Sequence, residues 1–381
     1  MAKTILIRIL FLLLISSYTQ VQSTEEGFVS INISDKGLDF VKELLINGVV
    51  SSLIPLQLPQ IEKSVQIPVV GKVRMVLSNI TLYRVNVSSS IVKPGDTGIA
   101  IVASGATANL SMDWKYTYST WLIPIAVSDK GSASVLVEGL DVGLTLGLKN
   151  QRGTLNLTLL ECGCYVRDIC IKLKGGASWL YQGLLDAFEG NIASAVEDAV
   201  SKKIREGVMK LDSALQSLPK EVPIDNVAAL NVTFVNDPVL SNSSVDLEIN
   251  GLFSAKGEII ASNHRHKNLR ASVSSKDPDN MIGISLHENV LNSALLVYFN
   301  ADLMHWIVDK IPDQALLNTA RWRYVVPQLY KLYPNDDLKL NISVSSPPII
   351  KVENEGIHGT VHSDVTLDVL DTGDVIPVVC I

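Results

Sequence analysis

The sequence has little charge, few aromatic side chains and only four cysteines in 381 residues. Charged residues make up 19% of the chain, a fraction too low for a disordered acidic protein. Four cysteines are too few for a disulfide-dense scaffold. Acidic residues outnumber basic ones by 39 to 32, so the chain as a whole is not expected to bind the phosphates of nucleic acid.

The signatures of catalysis are also missing from the sequence. There is no Gly-x-Ser-x-Gly elbow, no His-Glu-x-x-His zinc motif and no glycine-rich phosphate loop. His264 and His266 stand in a polar stretch typical of a solvated turn, and His358 and His362 stand in a strand-like one. We therefore expect a protein that is not an enzyme and that holds no metal ion or cofactor.

Residues 1–23 have the plan of a secretory signal peptide. Lys3 and Arg8 supply positive charge, residues 5–15 are otherwise apolar, and Val21-Gln22-Ser23 offers a cleavage site. The alternative, an N-terminal membrane anchor, would need about 20 apolar residues. No later segment is long and apolar enough to span a bilayer. The pattern predicts a secreted, extracellular protein.

Eight Asn-x-Ser/Thr sequons follow this segment, which favours passage through a glycosylating compartment. The predicted glycosylation sites are Asn32, Asn79, Asn86, Asn109, Asn156, Asn231, Asn242 and Asn341.

Three of the four cysteines, Cys162, Cys164 and Cys170, are close together in the sequence. The segments 155–160 and 169–173 read as strands flanking a turn at 165–168, so an oxidising compartment favours a disulfide across a hairpin. Cys164 with Cys170 and Cys162 with Cys170 are both candidate pairs. Zinc is the alternative, but no second pair of ligands stands at a suitable spacing.

The apolar pattern predicts a strand-rich chain with few helices. A first helix begins after Ser34 or Asp35 and ends before Pro55. An apolar stripe from Trp179 to Leu215 predicts one long amphipathic helix that packs on a core. Further helices are predicted at 288–299 and 327–332. A short first strand is predicted at 27–33, followed by unusually long ones at 72–87, 99–112, 127–148 and 154–160. The later predicted strands cover 229–235, 245–252, 269–274, 281–287, 338–344, 356–369 and 375–381.

Several motifs resemble the lipopolysaccharide-binding and bactericidal/permeability-increasing protein (BPI/LBP) family. The first-half motifs are Lys36-Gly37-Leu38-Asp39, Leu58-Pro59, Ile67-Pro68-Val69, Gly71-Lys72 and Trp179-Leu180. The second-half motifs are Leu291-Asn292-Ser293-Ala294-Leu295-Leu296-Val297-Tyr298, Tyr333-Pro334-Asn335 and Ser345-Ser346-Pro347-Pro348. The resemblance covers nearly the whole mature chain. The cysteine-rich segment and the muted basic character are most similar to the plant branch.

The resemblance implies an α+β boomerang of two elongated, highly twisted antiparallel β-barrels, each closed by long helices. It places an N-terminal lipid-binding barrel at 24–218, a linker and central sheet at 219–245, and a C-terminal barrel at 246–381. Family members continue beyond the point matching Ile381, so we expect a truncated, incomplete C-terminal barrel with Cys380 lacking a partner. The full-length protein is expected to be a monomer.

The resemblance also implies a function. Apolar pockets would hold phospholipid acyl chains as bound ligand, and basic residues at the N-terminal tip would meet the lipid A part of lipopolysaccharide, in innate defence against Gram-negative bacteria. The expected partners are lipopolysaccharide, phospholipids and bacterial or membrane surfaces, with no nucleic acid. The candidate site residues are Lys63, Lys72, Arg74, Lys93, Lys115, Trp114 and Trp121. A phospholipid carrier without microbial recognition is the alternative, and an esterase with an unfamiliar site is a third possibility.

Two departures from the family pattern bear on this function. Animal members carry several Lys and Arg residues in the tip hairpins, whereas residues 114–121 here contain Lys115 alone. The aromatic Trp114, Tyr116 and Tyr118 share one strand face, which is typical of either a core or a lipid–water interface. The family disulfide would use a helix position that is Arg205 in this chain, so that bridge cannot form.

Overall fold

The computed structural model describes residues 27–67, 71–118, 127–174, 186–256, 272–274, 280–353, 355–371 and 373–380. The first half contains β1 (Val29–Ser34), α1 (Asp35–Ser52), β2 (Leu56–Gln57), β3 (Ile61–Ile67), β4 (Gly71–Asn86), β5 (Ser89–Gly95), β6 (Gly98–Tyr118), β7 (Val127–Gln151), β8 (Thr154–Lys174) and α2 (Asp186–Gln216). Next come β9 (Glu221–Pro223), β10 (Ala228–Asn231), β11 (Val239–Leu240), β12 (Ser244–Ile249), β13 (Phe253–Ala255), β14 (Ser272–Ser274), β15 (Ile282–His287) and α3 (Glu288–Asn300). The last part contains β16 (His305–Val308), a 3-10 turn (Gln314–Leu317), α4 (Thr319–Trp322), α5 (Pro327–Leu332), β17 (Asp337–Glu353), β18 (Gly356–Asp371) and β19 (Asp374–Cys380).

Helix α1 is defined by the residues at its two ends. Ser34 is the N-cap, and its hydroxyl accepts a hydrogen bond from the Gly37 amide. The helix ends at Ser52, shortly before Pro55, which cannot continue it. A side chain at Gly37 would collide with the Met281 carbonyl, so glycine permits close approach of α1 to the residues before β15. The predicted first helix is confirmed.

The N-terminal sheet has the strand order β2-β4-β6-β7-β8, with β3 paired to β4 and β5 paired to β6. Strands β6, β7 and β8 have 21, 25 and 21 residues, against about 5–6 in a typical strand. Gly105 and Gly139 have positive φ and lie where the β6–β7 register shifts. Such bulges increase the local twist, so that long strands curve around a core.

Helix α2 packs against the inner face of this sheet. Its buried side chains recur every four residues, which places them on one face of the helix. Burying each of them stabilises the fold by about 1.5–3 kcal/mol. They are Phe188, Ile192, Val196, Val200 and Ile204. The predicted core helix is confirmed over Asp186–Gln216, whereas its predicted first residues, from Trp179, lie outside the described part.

Three further sheets organise the rest of the described residues. In the central sheet, β1 lies between β12 and β15, so that Val29 faces both Ile249 and Leu286. The C-terminal sheet has the order β16-β17-β18-β19 and covers a small core of Leu317, Leu329, Leu338 and Val369. A short sheet of order β13-β10-β9 completes the set.

The closed barrels expected from the resemblance are not confirmed. Within the described residues each strand order has two ends, and no sheet closes on itself. The incomplete C-terminal barrel is likewise not confirmed. The α+β class itself, with mostly antiparallel strands and few helices, agrees with the structure.

The predicted hairpin at 165–168 is wrong, because β8 runs unbroken through it. Val166 pairs with Leu140 of β7, and its amide donates to Glu197 Oε1 on α2 at 2.8 Å. Cys164 and Cys170 are six residues apart on one extended strand, roughly 20 Å by strand rise. A disulfide needs Cα atoms within about 7 Å. Cys162, Cys164 and Cys170 are free thiols, so neither predicted pair forms.

Candidate functional site

An apolar cavity of about 380 Å³ lies between α1, α2 and the inner face of the N-terminal sheet. Small-molecule sites typically have volumes of about 300–1,000 Å³. Strand alternation turns Leu140, Val142, Leu144 and Leu146 toward the cavity. The facing helices contribute apolar side chains at helical spacing, which are Leu45, Val49, Val200, Ile204, Val208 and Leu211. The same two periodicities that build the core therefore also build the cavity.

The cavity reaches the surface beside α1. Leu44 lines it and is 57% exposed, and the neighbouring Phe40 and Val41 are also exposed. An amphipathic helix would normally turn such side chains inward. Helix α1 therefore offers an apolar approach to the cavity.

Lys42 holds α1 against β5. Its ammonium is almost fully buried and donates to the Ser90 carbonyl at 3.2 Å and to Asp39 Oδ1 at 3.0 Å. Glu43 Oε1 lies 3.3 Å away. Burial disfavours the charge, but the hydrogen bonds to Asp39 and Glu43 outweigh burial, so the pKa of Lys42 is raised. The position of this cavity wall thus depends on a buried lysine whose carboxylate partners, Asp39 and Glu43, are exposed.

The charged groups that line the cavity all lie on α2. Lys203 Nζ is 2.9 Å from Glu206 Oε2, and Lys210 follows one turn later. The hydrogen bond from Lys203, together with the charges of Lys203, Lys202 and Lys210, lowers the pKa of Glu206. The charged rim of the cavity, formed by these three residues, therefore has two cations, Lys203 and Lys210, and one carboxylate, Glu206. An apolar cavity with a cationic rim fits an amphiphile with an anionic head group.

The structure brings the predicted cations together only in part: Arg74 is opposite Thr117 and is therefore a diagonal neighbour of Lys115, with Lys72 two residues before it on β4, whereas Lys63 and Lys93 lie elsewhere. Arg74 makes a double hydrogen bond to Glu62, at 2.6 and 2.8 Å, so its charge is already balanced. Lys63 donates to Asn191 Oδ1 on α2. Lys93 of β5 is opposite Ala100 of β6. Ala100 is fifteen residues from Lys115 along β6, so Lys93 and Lys115 are about 50 Å apart by strand rise. Lys72 and Lys115 are exposed.

Three lysines that the sequence analysis missed extend the surface around Lys115. Lys115 and Lys130 are directly opposite each other on β6 and β7, and Ser132 is opposite Lys174 on β8. Lys172 lies on the same side of β8. Diagonal neighbours in a sheet are about 7–8 Å apart. We call Lys115, Lys130, Lys172 and Lys174 the lysine face. The sequence signal that could have identified it is the presence of lysine at alternating positions of the strands, at 172 and 174 on β8 and at 130 on β7.

The aromatic residues of β6 belong to the core. Trp114 and Tyr116 are buried, and their rings stack at a centroid distance of 6.1 Å. Trp114 Nε1 also donates to the Ser132 carbonyl at 3.0 Å. Of the two interpretations of this strand face, the core is correct, and Trp114 is not placed to contact a ligand from the outside. Trp121 lies outside the described residues.

Two of the cysteines, Cys162 and Cys164, face α2 in a way that suppresses their reactivity. Burial raises the pKa of Cys164 to about 12, with help from the charge of Glu197. Burial also raises the pKa of Cys162, although the charge of Arg205 opposes it. Arg205 thus lies near Cys162, where the resemblance placed the missing half of the family disulfide. Among the described residues no cluster of three His, Cys, Asp or Glu side chains could hold a metal ion.

Within the same described part, no helix has the length and apolar character needed to cross a membrane.

Comparisons with known proteins support the resemblance on both halves of the chain. The sequence model of the LBP / BPI / CETP family, N-terminal domain, matches residues 37–218, and that of its C-terminal domain matches 222–374. A protein of Arabidopsis thaliana called a BPI/LBP family protein is 54% identical over 98% of this chain and 77% of its own length. Human lipopolysaccharide-binding protein is 26% identical over 90% of this chain and 70% of its own length.

A solved structure shows the same fold. The crystal structure of a lipopolysaccharide-binding protein superposes with a TM-score of 0.64 and 20% identity, over 93% of this chain and 78% of that one. The expected truncation of the C-terminal half is not supported, since the C-terminal domain model matches as far as residue 374. The chain belongs to the LBP/BPI/CETP family.

Proposed function

We propose that the protein is a secreted lipid-binding protein that takes an acyl chain of lipopolysaccharide or phospholipid into the cavity between α1 and α2. The observation that carries this proposal is the separation of apolar and charged groups in the lining. The walls are apolar, whereas Lys203, Glu206 and Lys210 stand together on α2. An acyl chain gains from leaving water, and a head-group phosphate gains from lysine.

The lysine face has a different role from the cavity in this proposal. Lys130 is ten residues along β7 from Leu140 of the cavity, which is about 33 Å by strand rise. One lipid head group cannot reach both places. In our proposal the lysine face meets the phosphate layer of a bacterial surface, and the cavity holds a single amphiphile extracted from it.

A phospholipid carrier without microbial recognition is the second candidate. Two observations favour it: Arg74 is already paired with Glu62, and Trp114 is buried in the core. Both weaken the predicted lipid A site. The cavity alone would be sufficient to carry a phospholipid.

Competition separates the two candidates. Fluorescently labelled lipopolysaccharide is bound to the purified protein, and phosphatidylcholine vesicles are added in excess. Retention of the labelled lipopolysaccharide is expected for the recognition protein. Complete displacement of the lipopolysaccharide would support the phospholipid carrier. Failure to bind either lipid would contradict both candidate functions.

Secretion and a role in defence against Gram-negative bacteria complete the proposal. They rest on the signal-like residues 1–23 and on the sequons, of which Asn86 and Asn242 are exposed on the surface. The Asn156 amide, in contrast, donates to Asp212. We expect the protein to appear in the medium of a eukaryotic host and to run faster on a gel after glycosidase treatment. An intracellular, unshifted product would contradict secretion.

A further inference from the structure

The segment 319–332, which comprises α4, α5 and the residues between them, combines positive charge with exposed apolar surface. It contains Arg321, Arg323 and Lys331 and no acidic residue, in a chain whose net charge is −7. All three cations are exposed. The position of this charge is independent of the cavity and of the lysine face, which both lie in the N-terminal sheet and its helices.

Several apolar side chains of the segment project into solvent. Tyr324 is 81% exposed, and Val325 and Leu332 are each 72% exposed. Trp322 is also exposed and donates from Nε1 to the Leu316 carbonyl at 2.9 Å. Contiguous exposed apolar surface on a soluble protein marks an interaction site.

The segment is held firmly by its other side. Thr319 and Leu329 are buried, and Leu329 belongs to the core under the C-terminal sheet. The Thr319 amide donates to the Asp336 carbonyl, and the Asp336 amide donates to Thr319 Oγ1. The Asn318 side chain accepts from the Ala320 amide and so caps α4. The exposed side chains are therefore presented on an ordered backbone.

We propose that the segment 319–332 docks the protein onto an anionic lipid bilayer, with Trp322, Tyr324 and Val325 in the interfacial layer. Tyrosine and tryptophan suit that layer because they combine an apolar ring with a polar edge. The Arg323 guanidinium lies 4.6 Å from the centroid of the Tyr324 ring, so a cation accompanies the aromatic group into the interface.

Charge selects the bilayer over a second copy of the chain as the occupant. A two-fold dimer through this face would place the same three cations against one another. An anionic lipid surface would instead attract them, by about fivefold in partition for each Arg or Lys close to it.

Vesicle binding tests the proposal on the whole protein. Sedimentation is measured with vesicles of phosphatidylcholine alone and of equal parts phosphatidylcholine and phosphatidylglycerol. We expect Arg321→Gln/Arg323→Gln to lower partition to the anionic vesicles about 25-fold, with little effect on phosphatidylcholine alone. Tyr324→Ser/Val325→Ser should weaken binding to both. The control Tyr165→Ser/Ile357→Ser removes exposed apolar groups elsewhere, 62% and 58% exposed, and should bind as the unmodified protein does.

Fluorescence provides a second readout that needs only conservative changes. Anionic vesicles should shift the tryptophan emission to the blue, and Trp322→Phe should abolish that shift, whereas Trp306→Phe should keep it. Unchanged partition in both double variants, or equal loss in the control, would overturn the proposal. So would self-association in light scattering that Tyr324→Ser/Val325→Ser abolishes, because the face would then be an interface between copies.

Discussion

Lys115 of β6 and Lys130 of β7 are direct cross-strand partners on the outer face of the N-terminal sheet. Like charges in this arrangement repel and destabilise a sheet. Lys174 adds a third positive charge on the neighbouring strand. A surface that keeps such an arrangement is suited to binding an anion, because an anion relieves the repulsion.

The first prediction concerns this pair. Lys115→Gln/Lys130→Gln should weaken binding to lipopolysaccharide and flatten its salt dependence, because exposed ion pairs are screened by salt. The measurement is the dissociation constant at several salt concentrations. The melting temperature should stay the same or rise slightly, since the repulsion is removed.

Lys93→Gln is the control for the pair, because Lys93 is exposed but lies far along β6 from Lys115. It should leave both affinity and salt dependence unchanged. If Lys93→Gln has the same effect as the double variant, only net charge matters, and the lysine face has no special role.

Trp114 should matter for stability rather than for recognition. Trp114→Ala removes a buried ring that stacks on Tyr116, and such truncations cost about 3–5 kcal/mol. The free energy of unfolding in urea checks this. Trp306, which is exposed, serves as the control, and Trp306→Ala should cost far less. A stable Trp114→Ala protein that has lost lipopolysaccharide binding would restore the interface interpretation.

The thiols should differ in reactivity. Cys170 is exposed, whereas the Cys164 thiol has a pKa of about 12 because it is buried. Alkylation of the native protein near neutral pH, followed by mass spectrometry, should label Cys170 first and Cys164 only after unfolding. A mass showing a disulfide between Cys170 and either Cys162 or Cys164 would contradict the unbroken β8.

The same pKa predicts a pH effect on stability. The ordinary thiol value is 9.0, below that of Cys164 in the fold. Between about pH 9 and 12 the native state keeps a proton that the unfolded chain loses, so this group makes stability fall as pH rises through that window. Cys164→Ala should reduce the fall measured by urea unfolding, while Cys170→Ala should not.

Helix α1 should loosen when its buried anchor is removed. Lys42→Met keeps the aliphatic length but leaves the Ser90 carbonyl without this donor, and unmade buried hydrogen bonds cost about 1–3 kcal/mol. Hydrogen exchange of residues 35–52 should accelerate. Lys93→Met, an exposed change on the adjacent strand, should leave their exchange unchanged; equal protection in Lys42→Met would show that the anchor is unimportant.

Local sequence patterns were sufficient for most elements of this fold. Apolar periodicity with Ser34 and Pro55 defined α1, and the four-residue spacing from Phe188 to Ile204 defined α2. These features depend on neighbouring residues in the chain.

Features set by pairing between distant strands were not predictable in the same way. The polar stretch 165–168 resembles a turn, yet β7 and Glu197 of α2 satisfy its backbone and hold it extended. The lysine face depends on the register of three strands, and the cavity depends on where two helices lie over a sheet. Trp114 was ambiguous because its strand face could have packed inward or met lipid.

The most direct test of the account is lipid content after the cavity is filled. Ala103 lines the cavity from β6, and Ala103→Trp should occupy it. Overpacking costs about 1–3 kcal/mol, so the variant should still fold. Val361→Trp, on the exposed face of β18, is the matched control. Lipid extracted from each folded protein is quantified by mass spectrometry: we predict stoichiometric lipid in the unmodified and control proteins and little in Ala103→Trp, whereas equal lipid in all three would contradict a cavity that holds the acyl chain.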